Sequence, residues 1–87
     1  TPGHSPGHQS FLISLPSGKH FMLAIDAAYT LDHYHERALP GLMTSATDVA
    51  QSVRKLRQLT ERFNATLIPG HDPEEWGKIR LAPAWYS

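Results

Sequence analysis

Apolar residues form two short runs near the start of the chain, and each run is bounded by proline, glycine or a polar residue. Residues 9–15 (QSFLISL) alternate so that three apolar side chains share one face, which predicts a strand. Residues 16–19 (PSGK) have the composition of a tight turn. Residues 20–25 (HFMLAI) are predicted to form the returning strand of a hairpin. Because apolar residues occupy both faces of each strand, we expect a sheet that is covered on both sides.

The clearest periodic pattern lies between residues 44 and 64 and predicts an amphipathic helix. Charged side chains occupy one side of this helix. Thr44, Ser45 or Thr47 can cap it, and Ser45 with Asp48 has the spacing of a capping box. The apolar side chains recur at helical spacing and are Val49, Val53, Leu56, Leu59 and Phe63.

The second half of the chain adds a short strand. Asn64-Ala65 is predicted to end the helix, and residues 66–68 (TLI) to form a buried strand that Pro69-Gly70 breaks. Asp72-Pro73 is typical of a helix start, with aspartate as the cap. Residues 30–43 show no clean period and are predicted to be a loop with at most one helical turn. The order β-β-α-β predicts a layered α/β (α+β) architecture.

Charge and composition narrow the possible partners. The chain has 8 basic and 8 acidic residues and no basic stripe, so we expect no nucleic-acid partner. It has no cysteine, which excludes disulfides and thiolate metal sites. No apolar run approaches the length of a membrane span, so we expect no membrane partner. A cytoplasmic location is also expected. The chain opens in the middle of what resembles a motif, and we expect it to be part of a longer polypeptide.

Three groups that can bind metal stand where the backbone direction changes sharply. His4 lies between two Pro-Gly pairs, Asp26 follows the second predicted strand, and His71 follows Pro69-Gly70. Nitrogen and oxygen donors without cysteine suit zinc and similar divalent metals. Each residue taken alone could also be a histidine or aspartate that stabilises a turn. Together they predict part of a metal site whose other residues lie outside this chain.

Other polar residues are assigned lesser roles. His8 is expected to support a ligand or to pack, and not to bind metal itself. Tyr29 can donate a hydrogen bond to a developing oxyanion, although most tyrosines serve packing. His33-Tyr34-His35 has the spacing of a two-histidine metal motif. Arg37-Ala38 stands where that motif would need aspartate and histidine, so we expect His33 and His35 to be loop residues. They are either solvated or placed near the mouth of a substrate pocket.

The order of these segments resembles the metallo-β-lactamase superfamily. TPGHSPGHQS, a hairpin, IDAAYT, a helix and PGHD follow one another as in its N-acyl-homoserine lactonase branch, the quorum-quenching lactonases. The resemblance covers essentially the whole chain as the C-terminal part of such an enzyme. It implies the C-terminal half of an αββα sandwich, with residues 1–87 as a partial domain that requires its upstream half.

The resemblance also implies a catalytic role for each site residue. His4 matches a ligand of the first metal, His71 a ligand of the second, and Asp26 the carboxylate that bridges both. Tyr29 matches the tyrosine that contacts the substrate carbonyl. The implied enzyme is a hydrolase with two divalent metal ions, zinc by default, whose shared hydroxide opens an N-acyl-homoserine lactone or a γ-butyrolactone. The family motif His-x-His-x-Asp-His is absent from these residues, so the isolated 87-residue piece is expected to be inactive.

Other interpretations remain open at this stage. A thioesterase of the glyoxalase II kind would use the same three metal ligands on a thioester. A non-catalytic remnant or a free-standing zinc-binding domain would carry no activity at all. The lactonase interpretation takes a small-molecule lactone as its partner. It leaves a homodimer possible through the apolar and aromatic residues Trp76, Trp85 and Tyr86.

Overall fold

The computed structural model describes all 87 residues and contains a three-stranded sheet with one long and two short helices. The predicted order β-β-α-β is confirmed, with one short helix before the long helix and another after the third strand. The elements are β1 (Phe11–Ser14), β2 (His20–Ile25), α1 (Leu31–Tyr34), α2 (Ala46–Arg62), β3 (Thr66–Pro69) and α3 (Pro73–Trp76).

Strand β2 lies at the centre of the sheet, between β1 and β3. It pairs with β1 in an antiparallel register that places Phe11 opposite Leu23, and with β3 in a parallel register that places Leu23 opposite Ile68. The predicted hairpin is therefore confirmed, although β1 is shorter than residues 9–15. Helix α2 makes the crossover that a parallel β2–β3 pair requires. The C-terminal ends of β2 and β3 consequently meet at one edge of the sheet.

Both ends of α2 follow the local chemistry of the sequence. The Ser45 hydroxyl accepts a hydrogen bond from the amide of Asp48, so Ser45 is the N-cap among the three candidates. Asn64 has a φ of 47°, a left-handed conformation that asparagine tolerates better than most residues, and the helix stops before it. The predicted cap and end of this helix are confirmed.

The hydrophobic core lies between α2 and one face of the sheet. Its buried cluster consists of Met22, Ala24, Ala27, Ala28, Tyr34 and Leu56. Tyr34 belongs to α1, in the stretch for which the sequence predicts a loop with at most one helical turn. The short helix places the Tyr34 ring in the core, where this residue is only 7 % exposed.

The opposite face of the sheet is largely uncovered within residues 1–87. Phe11, Ile13 and Ile25 expose 52 %, 41 % and 39 % of their surface. Part of this face is shielded by the tail, where the Tyr86 ring packs 4.8 Å from that of Phe21. The tail forms no strand, and Trp85 is exposed. A sheet covered on both sides thus stays a prediction for a longer polypeptide.

None of the helices combines the length and the apolar character needed to cross a membrane.

Candidate metal centre

Asp26 lies between two imidazoles at the edge where β2 and β3 end. Its Oδ1 atom is 2.9 Å from Nε2 of His71, and its Oδ2 atom is 3.5 Å from Nε2 of His4. His4 and Asp26 come from the first 26 residues, whereas His71 follows β3. The parallel pairing of β2 and β3 therefore brings together three groups that are widely separated in sequence.

His4 is held in place because its loop is packed against the start of α2. The Gly3 carbonyl accepts hydrogen bonds from the amides of Thr44 and Ser45, and the Ser52 hydroxyl donates to the Pro2 carbonyl at 2.7 Å. Gly3 has a φ of 141°, and a Cβ atom added there would lie 2.6 Å from the amide nitrogen of Val49. Only glycine fits this contact, which explains why the loop needs Gly3 beside His4.

The contacts of Nδ1 of His4 determine which of its two ring nitrogens can bind a metal. Nδ1 lies 3.4 Å from the carbonyl oxygen of Leu42 and 3.1 Å from the hydroxyl of Tyr29. A carbonyl only accepts hydrogen bonds, so the hydrogen-bond pattern assigns the proton to Nδ1. The lone pair of Nε2 then faces Asp26, which is the orientation that a metal ligand needs.

His71 is positioned mainly by backbone hydrogen bonds. The amide of His71 donates to the Tyr29 carbonyl at 2.8 Å, and the amide of Gly70 donates to the Ala28 carbonyl at 3.0 Å. A Cβ atom at Gly70 would lie 2.2 Å from the Ile25 carbonyl oxygen, so the two strand ends are in contact here. The His71 side chain is 64 % exposed, against 28 % for His4.

Asp72 connects the segment that carries Tyr29 to the segment that carries His71. Its Oδ2 atom accepts a hydrogen bond from the amide of Leu31, the first residue of α1. Its Oδ1 atom accepts from the amides of Glu74 and Glu75, which caps α3 as the sequence predicts. The Leu31 amide, followed by those two cap amides, lowers the pKa of Asp72. The cap was predictable from sequence, but the bond to Leu31 was not.

Tyr29 lies between the two histidines. Its hydroxyl reaches His4, and its ring meets that of His71 edge-on with 4.8 Å between the centroids. His33 follows one helical turn later, with its ring centroid 5.7 Å from that of Tyr29. Its Nδ1 atom is buried without a hydrogen-bond partner and the residue is half-buried, so His33 is not a fully solvated loop residue. His35 is exposed, as expected.

His8 hydrogen-bonds the backbone of Asp26, and its ring lies edge-on to that of His4 with 6.0 Å between the centroids. The Asp26 amide donates to Nε2 of His8 at 3.0 Å, and Nδ1 lies 3.1 Å from the carbonyl of Thr1. Both ring nitrogens are thereby used within the chain. This geometry agrees with a supporting residue and leaves no ring nitrogen free for a metal.

The donor set fits part of a metal centre, although not a complete one. Two ligands of one tetrahedral zinc stand roughly 3.3 Å apart, from bond lengths of about 2.0–2.2 Å. The 3.5 Å between His4 and Asp26 is close to that value, whereas the 2.9 Å between His71 and Asp26 would have to open slightly. No three or more His, Cys, Asp or Glu side chains of residues 1–87 could hold a metal ion by themselves. The two histidines face different oxygens of Asp26, so they do not converge on one point.

Comparison with known proteins gives close similarity to one group of enzymes. The chain is 54 % identical over 87 residues to N-acyl homoserine lactonase AttM of Agrobacterium fabrum, covering 100 % of this chain and 33 % of that protein. It is 31 % identical over 85 residues to an N-acyl homoserine lactonase of Bacillus thuringiensis, covering 98 % of this chain and 34 % of that protein. The chain thus spans about a third of the length of these relatives. No family model matches it.

Solved structures show the same similarity in three dimensions. A quorum-quenching N-acyl homoserine lactone hydrolase superposes with a TM-score of 0.89 at 30 % identity, covering 99 % of this chain and 35 % of that chain. A second such hydrolase, solved with the product N-hexanoyl-L-homoserine at its catalytic metal centre, also gives a TM-score of 0.89 at 30 % identity, covering 34 % of that chain. The expected α+β fold is confirmed by these superpositions.

Proposed function

We propose that this chain, a relative of the N-acyl homoserine lactonases of the metallo-β-lactamase superfamily, forms part of a metal-dependent hydrolase that opens lactone rings. The observation that carries the proposal is the Asp26 carboxylate between the Nε2 atoms of His4 and His71, with the Tyr29 hydroxyl beside them. Residues 1–87 are proposed as a partial domain. The uncovered face of the sheet, which includes Phe11 and Ile13, is where the rest of the domain packs.

Each site residue has a distinct proposed role. His4 and His71 would each hold a divalent ion, and Asp26 would be the carboxylate ligand that the two ions share. Bound metal, zinc by default, supplies a nucleophile at neutral pH and polarises the lactone carbonyl. The Tyr29 hydroxyl donates a hydrogen bond to the carbonyl oxygen as negative charge develops on it. His8 supports Asp26 by accepting a hydrogen bond from its backbone amide. The number of ions, their identity as zinc and a cytoplasmic location are parts of the same proposal.

The decisive experiment uses the full-length polypeptide, meaning one that carries the expected upstream motif together with residues 1–87. We would measure proton release from the metal-loaded protein with γ-butyrolactone, short- and long-chain acyl-homoserine lactones, and a glutathione thioester. Ring opening of a lactone is the expected result, and the preferred lactone identifies the substrate. Turnover of the thioester alone would place the protein with the glyoxalase II-like enzymes, and no turnover at all would leave a non-catalytic protein.

Two substitutions test the assignment of residues. Asp26→Ala should abolish both activity and the binding of one or both metal ions, because the shared ligand is lost. Tyr29→Phe should lower kcat by about 10²-fold, the usual effect of losing one oxyanion donor, with the metal content unchanged. Full activity in Asp26→Ala would refute the metal site, whereas full activity in Tyr29→Phe would refute only the role of the phenol.

A further inference from the structure

Ile25, the residue directly before Asp26, has an unusual backbone conformation. Its φ is 54°, in the left-handed region that β-branched residues rarely adopt. The register between β2 and β3 also shifts between Leu23 and Ile25. The end of β2 is therefore bent away from a regular strand at the position that sets the direction of the Asp26 side chain. A backbone conformation of this kind persists only where the surrounding structure enforces it.

The backbone groups on either side of Ile25 are held by side chains of the first ten residues. The Ser10 hydroxyl donates to the Ala24 carbonyl at 2.9 Å, before Ile25. The Asp26 amide, after Ile25, donates to Nε2 of His8 at 3.0 Å. Gly70 approaches from the other side, because only a residue without a Cβ atom fits against the Ile25 carbonyl.

His8 and Ser10 are themselves joined through Thr1. Because Nε2 of His8 accepts from a backbone amide, its proton is on Nδ1, which lies 2.9 Å from the Thr1 hydroxyl and 3.1 Å from the Thr1 carbonyl. The Thr1 hydroxyl lies 2.9 Å from that of Ser10. Since the Ser10 proton is already donated to Ala24, Thr1 donates to Ser10. The hydrogen bonds thus run in one direction from the Asp26 amide through His8, Thr1 and Ser10 to the Ala24 carbonyl.

We propose that Thr1, His8 and Ser10 form a clamp that keeps Ile25 in its left-handed conformation and so points the Asp26 carboxylate between His4 and His71. These three are positioning residues, since none of them contacts metal or substrate. The inference rests on the proposed function for its consequence, which is tighter metal binding. The clamp itself is a property of this chain and makes a prediction that does not depend on metal.

The test compares three variants of the full-length polypeptide. His8→Ala removes both bonds of the imidazole, whereas His8→Gln keeps an acceptor at about the reach of Nε2. His20→Ala is the matched control, since His20 likewise hydrogen-bonds a hydroxyl side chain, that of Ser14, but lies at the opposite end of β2 from Asp26. In the metal-free protein, amide hydrogen exchange measured by NMR should become at least 10-fold faster at Asp26 in His8→Ala, and stay unchanged at Leu15, whose amide is bonded to the Lys19 carbonyl in the hairpin turn.

Zinc affinity, measured by chelator competition, should fall when the clamp is broken. We expect a dissociation constant about 10–100-fold larger in His8→Ala, the usual effect of losing a group that orients a ligand, with substantial recovery in His8→Gln. His20→Ala should change neither quantity. Unchanged exchange at Asp26 in His8→Ala would overturn the clamp whatever the activity. Faster exchange with unchanged zinc affinity would overturn its role in positioning Asp26, while an unchanged zinc content and zinc affinity in Asp26→Ala would overturn the metal site itself.

Discussion

Pro2-Gly3-His4 packs against the start of helix α2, whereas Pro69-Gly70-His71 packs against the end of strand β2. The first turn is bonded to the helix through the Gly3 carbonyl and through Ser52. The second is bonded to the segment of Tyr29, which belongs to the site itself. Similar Pro-Gly-His sequences are thus held by different partners. His4 therefore depends on the packing of its loop against α2, whereas His71 depends on the local contacts of the site.

The largest effect is expected for Gly3→Ala. The added Cβ would meet the backbone and side chain of Val49 within 2.8 Å, and the φ of 141° is unfavourable for alanine. We expect the free energy of unfolding of the full-length polypeptide to fall by about 2–4 kcal/mol, as measured by urea denaturation. Gly41→Ala is the control, because nothing lies within 4 Å of its added Cβ. Equal stability of the two variants would contradict the packing of the first turn.

Gly70→Ala should act on metal binding more than on the fold. Its Cβ would displace the Ile25 carbonyl, and with it Asp26 and His71 together. A displacement of about 1 Å can cost about 10²-fold in activity, so we expect kcat/KM and zinc affinity to fall more than in Gly3→Ala. Stability should fall by about 1–3 kcal/mol. A larger loss of zinc affinity in Gly3→Ala, at temperatures where both variants are folded, would reverse the comparison.

A smaller effect is expected where the first turn meets α2 through Ser52. Ser52 is 6 % exposed, and removing its hydroxyl leaves the Pro2 carbonyl without this partner. Ser52→Ala should lower the free energy of unfolding by about 1 kcal/mol and leave zinc affinity nearly unchanged. Gln51→Ala, at the neighbouring exposed position, should have no measurable effect on either quantity. A selective loss of zinc affinity in Ser52→Ala would show that the two turns respond alike.

The smallest effect is expected for the link between Asp72 and Leu31 beside the second turn. Asp72→Ala loses this bond and the cap of α3, whereas Asp72→Asn keeps an oxygen for the cap. We expect Asp72→Ala to weaken zinc binding modestly, with little change in the melting temperature, and Asp72→Asn to lie between it and the wild type. Chelator competition and thermal unfolding measure the two effects. An unchanged zinc affinity in Asp72→Ala would show that Asp72 does not help to position His71.

Much of the fold could be predicted because its signals are local. The turn at residues 16–19, the capping of α2 by Ser45 and the break at Pro69-Gly70 each depend on a few adjacent residues. The same holds for the positions of His4, Asp26 and His71, where the backbone direction changes sharply. Tyr34 was not recognised as a core residue, because α1 is too short to show a helical period.

Local sequence signals account for most of the helices and strands, their order and the residue types available for metal binding, since backbone propensity and apolar period act over a few residues. Which atoms meet depends instead on tertiary contacts. The parallel pairing of β2 with β3 carries His71 to Asp26 across 45 positions. The left-handed Ile25 and its support by His8 likewise arise only from packing, because an isoleucine gives no local signal for that conformation. Long-range contacts of this kind depend on the whole fold and leave no trace in a short stretch of sequence.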